Sequence, residues 1–138
     1  MNTVGDVEEL DAYIYSLDVN EVNKSSRDEL SYYERTFAKC AKFICQQDRD
    51  KFSKVQKILL KHLFDRSYVR SLFASDLYMF MFRLVGPAHQ SSMCQIVMNL
   101  CKLAPPDALV KGAALIYRLN NPVVNFKNPK YERILEFS

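Results

Sequence analysis

Two stretches of this chain, about 40 residues apart, repeat one helix-turn-helix pattern. The first runs from Phe52 to Val85 and the second from Met93 to Leu119. Phe52, Val55 and Leu59 recur at a constant offset as Met93, Ile96 and Leu100 (52 to 93, 55 to 96, 59 to 100). Each stretch then breaks at a polar turn, Asp65-Arg66-Ser67 in one and Pro105-Pro106-Asp107 in the other. Each resumes with an apolar-basic pair, Val69-Arg70 or Val110-Lys111. A period near 40 built from two helices is the signature of a stacked helical array. Such a unit cannot bury its apolar face alone and needs neighbours on which to stack.

The rest of the chain also reads as helix. A first helix is predicted over about Asp6 to Leu17, with Asp6, Glu8 and Glu9 at the positive end of its dipole. Its apolar residues, Val7, Leu10, Tyr13, Ile14 and Leu17, recur at three and four. A polar connection over Asp18–Ser25 follows. Ser26-Arg27-Asp28-Glu29 has the form of a capping box opening a helix to about Gln47. A third helix is expected over Asp50–Phe64. Ser67 is a candidate N-cap for a fourth that reaches Val85, where Gly86-Pro87 stops it. A fifth is expected over His89–Leu103 and a sixth over Asp107–Leu119, in which Gly112-Ala113-Ala114 offers a small-residue face for close approach. The pairing is therefore about 6–47, 50–85 and 89–119. Residues 1–119 read as one helical-repeat domain. Residues 120–138 read as an irregular tail, or as the start of a further helix from Lys130 onward, about where another repeat begins.

The middle pair resembles a HEAT repeat, whose turn carries an aspartate, then a valine-arginine pair, then an alanine in the second helix. Those positions read Asp65, Val69, Arg70 and Ala74 here, with a turn one residue shorter than the usual pattern. The third pair matches more loosely through Asp107, Val110, Lys111 and Ala114. The resemblance implies an all-α fold, a right-handed stack of about three antiparallel helix pairs, and a structural role for Arg70 in tying adjacent repeats together. A compact helical bundle produces similar strings and stands as the alternative. The Ala74-Ser75-Asp76-Leu77-Tyr78 stretch resembles large helical scaffolds of genome maintenance, which would make the chain a subunit or fragment of a larger complex.

No catalytic constellation is present in the sequence. His62 and His89 lie on different helices without an acidic or cysteine partner at ligand spacing, and no phosphate-binding, nucleophile-elbow or zinc-protease motif occurs. The cysteine pairs Cys40/Cys45 and Cys94/Cys101 lack the short spacing of a zinc knuckle. They read as buried free thiols, which points to a reducing, intracellular compartment, cytoplasmic or nuclear. No cofactor is expected. No apolar run is long enough to cross a bilayer, so no membrane association is expected.

Charge is segregated. Residues 1–33 carry eight acids against Lys24 and Arg27, whereas residues 34–70 carry ten bases against Glu34, Asp48, Asp50 and Asp65. Lys54, Lys57 and Lys61 recur at three and four along the third helix, opposite Val55 and Leu59. This stripe reads first as a solvated face beside the acidic first helix, and second as a surface steering an acidic partner. A nucleic-acid reading is weaker, because no exposed aromatics interleave the lysines. The fourth helix is apolar on almost every side of its second half, so it is either central or covered from outside. On the second reading Tyr78, Met79, Met81 and Phe82 are anchors for another protein, for the rest of a longer parent chain or, in a homodimer, for a second copy. The expected function is a non-catalytic protein-binding scaffold or adaptor. A nucleic-acid-binding helical module and a homodimerising regulatory bundle are the alternatives.

Overall fold

A computed structural model describes residues 6–22 and 26–121, with side chains 19–31 outside the description. Among these residues the chain is all-helical, with six helices: α1 (Val7–Val22), α2 (Ser26–Cys45), α3 (Arg49–Leu63), α4 (Tyr68–Leu84), α5 (Pro87–Leu103) and α6 (Pro106–Asn120). No described helix is long and apolar enough to cross a membrane.

The local chemistry explains most of these boundaries. The Asp6 carboxylate accepts the Glu9 N–H at 2.8 Å and caps α1. Ser67 caps α4, its hydroxyl accepting from Arg70 N at 3.3 Å. Proline at the first helical position opens both α5 and α6, where its fixed φ suits the helix and its missing N–H costs nothing. α1 departs from expectation: it runs through Asp18 to Val22, so the predicted polar connection is helical for five residues. The expected capping box at Ser26–Glu29 and the expected further helix from Lys130 lie outside the described side chains and residues.

α4 is the centre of the molecule. It packs against each of the other five helices, α1, α2, α3, α5 and α6. Ten consecutive residues of it, Phe73 to Phe82, are buried. Phe73 meets Tyr33 and Phe37 of α2 edge-on, and Phe80 meets Phe37 in the same way. Such T-shaped contacts place a positive ring edge on a negative ring face. α2 also touches α1, α1 touches α3, and α5 touches α6.

Gly112 lets α6 approach its neighbours closely. A Cβ there would stand 2.4 Å from Cys101 Sγ and 3.0 Å from the Phe64 ring. Of the expected small-residue face, only Gly112 is used in this way. Ala113 and Ala114 point outward.

Candidate interaction surface and the polar clamps behind it

The lysine stripe is real but divided. Lys54, Lys57 and Lys61 are all exposed on α3. Lys61 is committed to α1, with Nζ 2.9 Å from Asp11 Oδ1 and lying over the Tyr15 ring. Its ammonium is held above the ordinary lysine range, chiefly by the hydrogen bond to Asp11. Lys54 and Lys57 form no ion pair with a described residue and are exposed to solvent. The acidic first helix does neighbour this face, and Asp11 is the residue that meets it.

His62 shares that carboxylate from inside. Its ring is fully buried, its Nε2 lies 2.6 Å from Asp11 Oδ1, and Tyr15 packs edge-on at 4.7 Å. Nδ1 is buried without a partner. Burial lowers the imidazole pKa, and the opposing pull of Asp11 does not reverse the shift. The neutral form with the proton on Nε2, donating to Asp11, is the one this environment holds. Burial pushes the Asp11 carboxyl up, yet hydrogen bonds from Lys61 and His62 outweigh it and leave the group below its ordinary value.

The turn between α3 and α4 gathers a second cluster. Asp65 Oδ1 accepts the Ser67 N–H at 3.0 Å and the Arg70 guanidinium at 2.5 Å. These contacts hold the carboxyl below the usual carboxylate range, the Ser67 N–H first among them. Arg70 Nε also lies 3.1 Å from Asp18 of α1, and its guanidinium stacks over Tyr15 at 4.6 Å. The Ser67 hydroxyl donates to the same Asp18 at 2.6 Å. From the other side, Lys111 of α6 donates to the Asp65 carbonyl. Asp18, Asp65 with Arg70, and Lys111 thus link α1, the turn between α3 and α4, and α6.

A third cluster crosses the second helices. Tyr33 of α2 donates to Asp76 Oδ2 at 2.6 Å, and Arg118 of α6 lies 2.8 Å from Asp76 Oδ1. Arg118 also donates to Ser75 Oγ at 2.7 Å. Sequence reading singled out none of these as a clamp, because Tyr33, Asp76 and Arg118 stand more than 40 positions apart and no local pattern joins them.

The expectation of an exposed aromatic-methionine face on α4 is overturned. Tyr78, Met79 and Met81 are each 1% exposed and Phe82 is 7% exposed. The reason is the position of α4, whose residues Phe73 to Phe82 are enclosed by other helices of the same chain. The Tyr78 hydroxyl is used internally as well, accepting from Gln56 and donating to the Met93 carbonyl, each at 2.9 Å. These four side chains therefore offer no free surface to a partner or to a second copy.

The four cysteines are free thiols, with Cys40 buried and Cys45, Cys94 and Cys101 half-buried. No group of His, Cys, Asp and Glu among the described residues is placed to hold a metal ion. No protein family, curated protein or solved structure matches the chain.

Proposed function

We propose that this chain is a non-catalytic, HEAT-like helical-repeat scaffold that binds another protein through the basic face of α3. The observation that carries this reading is the line of polar contacts along the turns. In HEAT repeats the arginine after the turn ties adjacent units, and Arg70 stands at that position and reaches Asp18 of the preceding pair. Lys111, its counterpart one unit later, reaches back to Asp65. The contact order of the second helices, α2 to α4 to α6, supports the same stacking.

With α4 consumed by the core, Lys54 and Lys57 carry the partner-facing charge. A complementary partner presents an acidic surface, which would speed encounter and fix register more than it would raise affinity. The test is a pull-down from cell extract with the full chain as bait, with and without nuclease, beside the variant Lys54→Glu/Lys57→Glu. A protein retained after nuclease and lost in the variant, at unchanged helicity, supports the reading. Retention by the variant removes the role of the two lysines. Recovery that disappears with nuclease replaces the protein partner by nucleic acid.

A further inference from the structure

α6 is the last of the described helices, and it packs mainly on α5 and α4. Gly112, Leu115 and Leu119 point inward and are buried. On the opposite side Leu109, Val110, Ala113, Ala114 and Tyr117 are exposed, with 69% at Val110 and 63% at Tyr117. Leu103, at the end of α5 just before the turn into α6, is exposed as well. Singly scattered exposed apolar residues need no explanation, but a contiguous patch does. These six side chains offer on the order of 500 Å² of apolar surface, the size at which a patch marks an interaction site.

The chemistry of this face selects its occupant. No charged side chain interrupts it. The two cations of α6 are drawn inward, Lys111 to the Asp65 carbonyl and Arg118 to Asp76 and Ser75, and Asp107 stands in the first turn. A two-fold contact sets a surface against itself, so any charge within it would meet its own kind. A neutral face is what such a contact requires, in a chain whose net charge is +3. The shape agrees. Val110 and Tyr117 each stand three residues from the Ala113–Ala114 pair (110 to 113, 114 to 117). Where two copies of α6 cross antiparallel at these alanines, Val110 of each meets Tyr117 of the other. The small residues let the helix axes approach to about 8 Å. We propose that two copies of this chain pair through the outer face of α6, antiparallel about a two-fold axis at Ala113–Ala114. A specific interface takes about 600–1,000 Å² from each partner. This apolar centre with a polar rim reaches the low end of that range, so the dimer dissociates at roughly micromolar concentration.

The pairing uses neither the α3 lysines nor another protein, so it fails separately from the proposed function. Sedimentation equilibrium of the full chain, from low micromolar to near-millimolar concentration, reads it directly. The mass is expected to rise from that of one chain to that of two and no further, because a two-fold contact closes on itself. Ala113→Glu/Ala114→Glu and Ala113→Lys/Ala114→Lys change exposed positions. Each variant is expected to weaken the dimer by at least about tenfold, through like charges meeting across the axis, with the far-ultraviolet circular dichroism retained. Mixing the two variants is expected to restore a dimer, since opposite charges then meet. A single-chain mass at the highest concentration overturns the proposal, as would follow if the chain itself covered the face. So does a dimer that survives both substitutions, which places the contact elsewhere, and so do two variants that remain monomeric when mixed.

Discussion

His62 shows how one side chain sets a pH dependence for the whole fold. The unfolded chain protonates this imidazole near pH 6.5, while burial holds the folded group neutral to lower pH. Below about pH 6.5 the unfolded state therefore binds a proton that the folded state refuses. Stability is fully present above that pH and falls as pH drops, by at most about 1.4 kcal/mol per unit. The urea midpoint is expected to decrease between pH 7.5 and 5.5, and His62→Gln to flatten that part of the profile. An unchanged slope in the variant would assign the dependence elsewhere. At Asp76 the prediction concerns a buried charge. Arg118→Met removes a guanidinium from a carboxylate that is 7% exposed and that also accepts from the Tyr33 hydroxyl. Removing one member of such a pair costs about 2–5 kcal/mol, which chemical denaturation would read. Replacing Tyr33 by Phe in the same background is expected to cost less than additively, since the two residues serve one carboxylate.

At the scale of elements, Gly112 fixes the seating of α6. Alanine is the better helix former by about 1 kcal/mol, yet a Cβ at this position runs into Cys101 Sγ and the Phe64 ring. Overpacking of a tight contact costs roughly 1–3 kcal/mol, so Gly112→Ala is expected to destabilise by about 1 kcal/mol net. Gly112→Ala/Cys101→Ala is expected to recover part of that loss, and a thermal melt of both variants distinguishes the two outcomes. The helices themselves were legible in the sequence, because apolar spacing and caps such as Ser67 are local signals. The end of α1 was not: Asp18 reads as the start of a polar connection until its carboxylate is seen paired with Arg70 and Ser67 from a distant turn. The solvent face of α3 was legible through its lysines, but the commitment of Lys61 to Asp11 depends on how α1 lies across α3. The apolar surround of α4 was equally visible, and its covering was not, since a helix wrapped by its own chain and one wrapped by a partner share the same sequence pattern. That is why Tyr78, Met79, Met81 and Phe82 were open candidates in sequence and core residues in structure.

At the scale of the molecule, the contacts of α4 with the other five helices are expected to make the six helices one cooperative unit. A linear array in which each unit touches only its neighbours divides its stability among local interfaces. Here one helix touches all the others, so damage to it is shared. Phe73→Ala removes a fully buried ring that packs against Tyr33 and Phe37, at a cost of about 3–5 kcal/mol. Hydrogen exchange is expected to accelerate across all the helices in that variant, including α6 at the far side. Acceleration confined to α2 and α4 would show that the pairs open separately.

The burial of Cys40 carries a practical consequence. Its thiol lies at 0% exposure in the core and its pKa is pushed up to about 12, so the reactive thiolate is scarce at neutral pH and shielded in the native state. Alkylation of this sulfur in native buffer must wait for the core to part. The chain thus carries its own stopwatch: label arriving at Cys40 marks excursions that breach the core, while label at the half-buried Cys45, Cys94 and Cys101 marks breathing nearer the surface.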